Sequence, residues 1–372
     1  MGGETAAGTV EPAVIDRCHL RRARFYAKSY PSVELSGVKM NKKWLALTLK
    51  FVVSGALIWF LISKIDMGEA MERITGADLG MLLLAVLIFL FQLIVCIFRW
   101  RAVLTAIGAS LPFVVALKIY YIGIFFNQTL PSSVGGDAVR IYKTYRTGIG
   151  IRGAVNGVML ERAGTVLALV LVVLAAQPFF LPRVGEEAAG WIAPVAVFLF
   201  LVAVAGLALL MVLDRFPVSF HRWRLIRGLA ALAADTRRVF LAPGPASRII
   251  GWAAAGHVNL TLGVYFIALG LDLDVTLLDC LALVPPVILI TTLPISIAGW
   301  GVREGAMVAA FSLVGVAADG ALVLSLLFGL LVVVTSLPGG VVWLLSGDRN
   351  MDMNVAAIEA DTVPAPTGEN RE

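Results

Sequence analysis

Long apolar runs, separated by short polar and basic segments, dominate the hydrophobicity pattern of this chain. Runs of about 18–25 residues are long enough to cross a hydrocarbon core ~30 Å thick as α-helices. They lie at residues 44–63, 78–98, 163–182, 191–213, 249–271 and 320–345. The pattern therefore predicts about six spanning helices within a membrane domain at 44–345.

Three further apolar stretches are too short or too interrupted to be read as spans, and they lie at residues 113–130, 276–294 and 305–318. The first stops at Pro131, and the second contains Pro285, Pro286 and Pro294. Proline ends or kinks a helix because it lacks a backbone donor and collides with the preceding turn. Interrupted helices at membrane depth occur where protein surrounds them. These stretches are predicted to form re-entrant helical units.

An internal repeat follows two of these broken stretches. Residues 129–140 read TLPSSVGGDAVR, and residues 292–303 read TLPISIAGWGVR, with seven of twelve positions identical and no gap. Three predicted spans lie between the copies, and an odd number places the copies on opposite faces of the membrane. Inverted repeats with helices interrupted at matching places are typical of transporters. The predicted fold is thus an all-α polytopic membrane protein with two re-entrant, Pro/Gly-broken helix units related as an inverted repeat.

The repeat also suggests where a substrate binds. Pro131 and Pro294 are predicted to break the incoming helices. Small residues after each break permit a tight turn: Ser133 and Gly136 in the first copy, Ser296 and Gly299 in the second. A helix beginning there would favour an anion at its free N–H groups. Arg140 and Arg303 follow about one turn later, with a planar donor fork suited to phosphate, although a single such arginine is commonly a topology anchor.

Composition supports the membrane assignment. Hydrophobic residues make up 59% of the chain and charged residues 15%, with a mean hydropathy of +0.89. The formal charge of +5 comes from loop arginines and lysines, which indicate topology and contact with anionic lipid instead of nucleic acid. The three cysteines and three histidines have no metal-ligand spacing, so no metal or other cofactor is expected. The charge bias predicts a multi-pass inner-membrane protein with a cytoplasmic N-terminus.

The two ends of the chain differ from the membrane domain. Residues 1–43 are basic and contain no span, and Met40 begins a segment that resembles a natural protein start. Residues 1–43 are therefore predicted to be a cytoplasmic N-terminal extension. Residues 346–372 are predicted to be an acidic, disordered tail. Residues 214–248, rich in arginine, are predicted to contain an amphipathic helix lying on anionic lipid.

Other polar residues in apolar surroundings are candidates for function or for helix contacts. Glu161 and Arg162 precede a predicted span, and ionisable residues at such depth are functional candidates; an interface ion pair is the alternative. Asn127 ends the first broken helix, and Glu304 follows Arg303 in the second repeat. His257 and Asn259 are expected to hydrogen-bond between helices, with a proton relay as the alternative. The D-x-D motif at 272–274 is a weak signal for a glycosyltransferase.

Three motifs in this order resemble a known family. They are FNQTLPSSVGGDAVR at residues 126–140, ERAG at 161–164 and P-x-S-x-x-GWGVREG at 294–305. They resemble the transmembrane region of lysylphosphatidylglycerol synthases, and in particular its stand-alone, flippase-like members. The resemblance covers about residues 44–345. It implies translocation of a lipid between leaflets, and it does not extend to aminoacyl transfer, which belongs to a soluble domain.

The sequence therefore predicts a protein that moves a phospholipid or other lipid-linked substrate across the inner membrane without being an enzyme. The residues predicted to hold the substrate are Arg140, Arg303, Glu161, Arg162, Glu304, Asn127, Ser133, Gly136, Ser296 and Gly299. The predicted partners are membrane lipids and a lipid-synthesis enzyme, with no nucleic acid. Two alternatives stay open: a membrane-embedded transferase acting on a lipid acceptor, and a non-transporting scaffold for a lipid-synthesis enzyme.

Overall fold

The computed structural model describes residue 59 and residues 67–130, 135–215, 224–292 and 299–346. Within these residues the chain is α-helical, with short 3-10 turns at Leu181–Arg183, Leu213–Arg215 and Ser312–Val314. The all-α polytopic fold is confirmed. The extension at 1–43, the predicted first span at 44–63 apart from residue 59, and all but Ser346 of the tail lie outside the described residues. So do four predicted site residues, Pro131, Ser133, Pro294 and Ser296.

Five described helices are long and apolar enough to cross a membrane. They are α2 (Leu79–Ala106), α5 (Ile151–Phe180), α6 (Glu186–Met211), α8 (Pro243–Gly270) and α11 (Ala318–Leu345). Each contains most or all of one predicted span, because hydropathy over some twenty residues is a local property of the chain. The ends are less accurate: α2 continues through Arg99, Trp100 and Arg101, beyond the predicted end of the span at residue 98.

Six shorter helices complete the described architecture: α1 (Met67–Thr75), α3 (Phe113–Thr129), α4 (Gly135–Arg146), α7 (Arg224–Phe240), α9 (Leu277–Thr291) and α10 (Val302–Phe311). Helices α3, α9 and α10 form at the three short apolar stretches. Pro285 and Pro286 lie inside α9 without ending it. Thr276 and Asp279 close the start of α9 in a reciprocal capping box.

Two sets of four helices, the first unit (α2, α3, α4 and α5) and the second unit (α8, α9, α10 and α11), pack closely against each other. In the first unit, α4 packs between α3 and α5; in the second, α10 packs between α9 and α11. Helix α3 also lies against α11, whereas α5 lies against α9, and α2 packs along α8 at the centre. Each short helix α3 and α9 is thus covered by the last long helix of the opposite unit.

Glycines allow the closest of these contacts. A Cβ atom at Gly339 of α11 would overlap the backbone carbonyl of Tyr121 in α3, and one at Gly340 would meet the Phe125 ring. The Tyr121 hydroxyl donates to the Thr335 carbonyl of α11 at 2.9 Å. The α3–α11 contact is therefore made partly by backbone, as in tightly packed membrane helices.

Two ion pairs hold the first turns of α9 and α11 to segments that are distant in the sequence. Arg73 of α1 pairs with Asp319 in the first turn of α11 at 2.6 Å. Arg183, just after α5, pairs with Asp279 in the first turn of α9 at 2.9 Å. Both aspartates are buried, and both lie where a helix start favours a negative charge.

Helix α6 connects the two units and contributes little packing. Ala196 is its one buried residue, and large apolar side chains such as Trp191, Phe198 and Leu209 are exposed. An apolar surface of this extent indicates contact with lipid.

Helix α7 is amphipathic, as predicted, but its apolar side does not face lipid. Leu232 and Val239 are buried against Val103 of α2, Leu160 of α5 and Ile249 of α8. The prediction that this helix lies on a lipid surface is therefore corrected: its apolar stripe is covered by protein.

The polar side of α7 is held by a surface ion pair. Arg237 donates to both carboxylate oxygens of Asp214, at 2.9 and 2.5 Å, and to the Met211 carbonyl. These hydrogen bonds hold the pKa of the Asp214 carboxyl below its ordinary value. The pair joins α7 to the end of α6.

Polar side chains also join the central helices, as expected for His257 and Asn259. The Asn259 amide donates to the Ile88 carbonyl at 3.0 Å and to Gln92 Oε1 at 2.8 Å, both in α2. His257 Nε2 lies 3.0 Å from the Thr165 carbonyl of α5. These contacts hold α8 against α2 and α5.

Replacing Asn259 with leucine is expected to lower the free energy of unfolding by about 0.6 kcal/mol and by ~1.7 kcal/mol at most, the average and the maximum measured for hydrogen bonds between membrane helices. Unfolding of the detergent-solubilised protein by a denaturing detergent measures the change. Ser247→Ala, at an exposed position near the start of α8, is the control with no expected loss. Equal stability of Asn259→Leu and wild type would show that these bonds do not hold α8.

Candidate functional site

Glu161 lies at the centre of a buried hydrogen-bond network on α5. Its Oε1 accepts from Arg99 of α2, at 3.1 Å from Nε and 2.9 Å from Nη2, and from the Tyr120 hydroxyl of α3 at 3.0 Å. Its Oε2 accepts from Arg140 Nη2 of α4 at 2.5 Å. One carboxylate, 1% exposed, thus joins α5 to three other helices. A buried charge is tolerable only when it is paired and hydrogen-bonded to this extent.

Arg140 is bracketed by two aromatic rings as well as paired with Glu161. Its guanidinium carbon lies 4.0 Å from the Tyr120 ring centroid and 4.6 Å from that of Trp100. A Cβ atom at Gly123 of α3 would overlap the aliphatic part of the Arg140 side chain. The ring faces attract the cation, and the glycine makes room for it.

Asp137 and Arg162 extend this network to an accessible edge. Arg140 Nη1 donates to Asp137 Oδ1 at 3.3 Å, and Arg162 donates to Asp137 Oδ2 from Nε at 2.9 Å and from Nη2 at 2.8 Å. The Asp137 side chain is 9% exposed and that of Arg162 is 49% exposed. The first cluster is defined as Arg99, Asp137, Arg140, Glu161 and Arg162. Its three arginines and two carboxylates leave one excess positive charge.

Asn127 and Gly136 fix the start of α4 beside the first cluster. Asn127 Oδ1 accepts from the Gly136 backbone N–H at 2.9 Å, so one free donor of the helix start is already used. A Cβ atom at Gly136 would overlap the Gly123 carbonyl oxygen and would crowd Asn127. Gly136 therefore allows α3 and α4 to cross with their backbones in contact.

A second cluster surrounds Arg303 in the other repeat copy. Arg303 donates to Glu304 Oε1, at 3.1 Å from Nε and 2.7 Å from Nη2, and to the Ser325 hydroxyl of α11 at 3.2 Å. Glu304 Oε2 accepts from the Gly301 N–H at 2.5 Å, which caps α10. The second cluster is defined as Arg303, Glu304 and Ser325, and its charges balance.

The second cluster also has an aromatic bracket and a glycine. The Arg303 guanidinium carbon lies 4.7 Å from the Trp300 ring centroid and 5.5 Å from that of Phe328. A Cβ atom at Gly329 of α11 would overlap the guanidinium. Gly299, with φ of 83°, forms the turn before α10, and its carbonyl accepts the Arg303 backbone N–H at 2.9 Å. The two repeat arginines therefore share burial, a glutamate partner, two rings and an adjacent glycine.

The two clusters differ in how they are built. The first joins α2, α4 and α5, contacts α3 through Tyr120, and reaches the protein surface through Arg162. The second lies between α10 and α11 and is buried. The predicted site residues are divided accordingly: Arg140, Glu161 and Arg162 meet in the first cluster beside Asn127 and Gly136, and Arg303 and Glu304 meet in the second beside Gly299. The helix starts differ too, since α4 begins five residues before Arg140 and α10 begins one residue before Arg303.

Sequence reasoning did not include Arg99, Trp100, Tyr120, Asp137 or Ser325 in the site. Arg99 offered a signal, because an arginine at the end of an apolar run can belong to the helix if a carboxylate compensates it. Its partner Glu161 lies 62 residues away, and nothing local indicates that pairing. Tyr120 and Ser325 have no distinguishing pattern in the sequence.

Comparison with known proteins adds a family relationship. The family model described as the lysylphosphatidylglycerol synthase TM region matches residues 47–339, a range that includes both clusters. A UPF0104 membrane protein of Pyrococcus horikoshii is 26% identical over 101 residues. That alignment covers 27% of this chain and 29% of the archaeal protein, so the chain matches less than a third of this relative.

Proposed function

The chain belongs to the family of the lysylphosphatidylglycerol synthase transmembrane region, and on this premise we propose that it moves lipids with a phosphate-containing head group between the leaflets of the inner membrane. The observation that carries the proposal is the pair of buried arginine–glutamate clusters at repeat-related positions. Charged groups inside a membrane protein are costly and commonly mark a substrate path. A phosphate needs fixed positive charge along that path, and two guanidinium groups provide it.

We further propose that the two four-helix units are inverted repeats and that α3–α4 and α9–α10 are re-entrant pairs. The reciprocal packing of α3 on α11 and of α5 on α9 supports this proposal, because a two-fold relation between the units would produce both contacts. Transporters built this way move one repeat against the other around a fixed site. The head group would pass between the units while its acyl chains stay in the bilayer.

The first cluster is the proposed entry site. Arg162 is its accessible cation, and Arg140 lies behind it next to Asp137 and Glu161. The second cluster is the proposed site for the opposite orientation, where Glu304 holds Arg303 until the head group arrives. The N-terminus is proposed to be cytoplasmic, and a lipid-synthesis enzyme is the proposed source of the cargo.

Leaflet exchange in proteoliposomes tests this function. A fluorescent phosphatidylglycerol is placed in both leaflets, and a membrane-impermeant reductant then quenches the outer pool. Wild-type protein is expected to make the protected pool accessible faster than in protein-free liposomes. Arg140→Ala and Arg303→Ala are each expected to slow exchange about tenfold or more, because a hydrogen bond to a charged group contributes ~1.5–3 kcal/mol.

Arg237→Ala is the matched control, since it also removes an arginine that is paired with a carboxylate, but outside both clusters. Each variant is first checked for a single monodisperse species. No exchange by wild type with several phosphate-bearing lipids would reject general translocation and favour a transferase or a scaffold. If Arg140→Ala and Arg303→Ala exchange lipid as fast as wild type, the proposed transport stands and the proposed site is rejected.

A further inference from the structure

Asp137 occupies the position in the first cluster where an anionic ligand would be expected. It is the third residue of α4, its side chain is 9% exposed, and each of its carboxylate oxygens faces a different arginine. We propose that Asp137 is an internal stand-in for the phosphate of an anionic lipid head group, which displaces it on binding. This inference rests on the proposed function and assigns its substrate class.

The surroundings of Asp137 suit a phosphate as well as a carboxylate. The first turn of a helix favours negative charge, and two guanidinium groups converge there with donors in planar forks. In addition, Nε of the Arg140 guanidinium that contacts Asp137 is buried and has no hydrogen-bond acceptor among the described residues. An unused buried donor on this cation is a second, independent indication that the site accepts a further oxygen ligand.

Asp137 is the carboxylate of the two clusters that is held least firmly. Its bond to Arg140 is 3.3 Å long, and its other partner, Arg162, is half-exposed. Glu161 accepts four hydrogen bonds from three buried side chains, and Glu304 binds the Gly301 N–H as well as Arg303. Rotation of Asp137 out of the cluster would therefore leave the other ion pairs in place.

The charge of the first cluster indicates which head group it favours. One excess positive charge is present while Asp137 is in place, and a second becomes available when Asp137 turns away. A phosphodiester with no cation in its head group matches this balance better than a zwitterionic one. Return of Asp137 to the arginines would then expel the phosphate and keep binding weak enough for turnover. The aligned position in the other repeat is Trp300, so the device is specific to the first cluster.

Binding of a short-chain lipid tests the role of Asp137. Full-length protein in detergent is titrated with dihexanoyl phosphatidylglycerol, dihexanoyl phosphatidylcholine or inorganic phosphate, and the dissociation constants are compared. Asp137→Asn preserves the side-chain shape but removes the competing charge. It is expected to bind phosphatidylglycerol about tenfold tighter than wild type, because charge-assisted bonds are about twice as strong as neutral ones. Phosphatidylcholine is expected to gain less.

Asp319→Asn is the matched control, because Asp319 is also a buried aspartate paired with a partly exposed arginine, with side-chain exposures of 8% and 32% for Asp319 and Arg73. It should leave phosphatidylglycerol binding unchanged. Arg162→Gln is a second, independent variant at a half-exposed position. It is expected to weaken phosphatidylglycerol binding about tenfold. This variant keeps the test decisive if Asp137→Asn does not yield folded protein.

Unchanged or weaker phosphatidylglycerol binding by folded Asp137→Asn would overturn the inference, as would an equal gain in Asp319→Asn. A gain confined to inorganic phosphate would assign the site to a free anion and overturn its lipid part. If Asp137→Asn and Arg162→Gln do not alter binding but wild type exchanges lipid, transport stands without the stand-in. If binding changes as expected but no lipid is exchanged, the anion site stands and the proposed function fails.

Discussion

Replacement of Glu161 by alanine is expected to lower the free energy of unfolding by about 3–5 kcal/mol, the cost of removing one partner from a buried ion pair. The change would leave Arg99 and Arg140 buried without their shared carboxylate. Arg140 would keep its long bond to Asp137, but Arg99 would keep only the Tyr120 hydroxyl, which it already contacts at 3.2 Å. Four helices would lose their common contact.

Unfolding of the detergent-solubilised protein, followed by circular dichroism, measures this effect. Glu161→Gln should lose less, because the amide keeps the side-chain shape and one acceptor oxygen. Glu187→Ala removes an exposed glutamate from the first turn of α6 and should unfold like wild type. Wild-type stability in Glu161→Ala would mean that water or lipid compensates the two arginines, and the cluster would then not hold the fold.

Replacement of Gly136 by alanine is expected to destabilise the protein by about 1–3 kcal/mol, the usual range for overpacking. The added methyl group would overlap the Gly123 carbonyl oxygen. That oxygen belongs to the backbone and cannot rotate away as a side chain can. The start of α4 must therefore move from α3, and Arg140 and Asp137 move with it.

Gly305→Ala is the control for this substitution. Like Gly136, Gly305 belongs to one of the family motifs and lies in a short helix. A Cβ atom at Gly305, however, would have no neighbour within 4 Å. Alanine in a helix interior is favoured over glycine by roughly 0.5–1 kcal/mol, so Gly305→Ala should be neutral or stabilising. Equal unfolding of the two variants, measured by denaturing-detergent titration, would show that the backbone contact at Gly136 is relaxed at little cost.

Helix positions were predictable from the sequence because hydropathy and helix breaking are local. Helices α6, α8 and α11 contain the predicted spans to within a few residues, and the short helices lie where the apolar runs are short. The start of α5 was predicted twelve residues too late. The helix begins at Ile151, but Asn156, Glu161 and Arg162 lower the hydropathy of its first turns, so the apolar run starts only after them.

The site was partly predictable. The repeat identified Arg140 and Arg303, and the structure places both in buried ion pairs. The repeat could not reveal that Arg99 is a partner of Glu161, because this pairing depends on helix contacts between distant parts of the chain. Likewise, the position of Asp137 between two arginines depends on how α4 crosses α5.

The reciprocal covering of the short helices has a consequence for biosynthesis. Tyr121 of α3 bonds to Thr335 of α11, 214 residues later in the chain. During synthesis α3 therefore reaches the membrane long before the helix that covers it. The nascent first unit must wait, with its contact surface at Tyr121 and Phe125 uncovered, until the last long helix has left the ribosome. Premature termination before α11 would give a product suited to quality-control proteolysis.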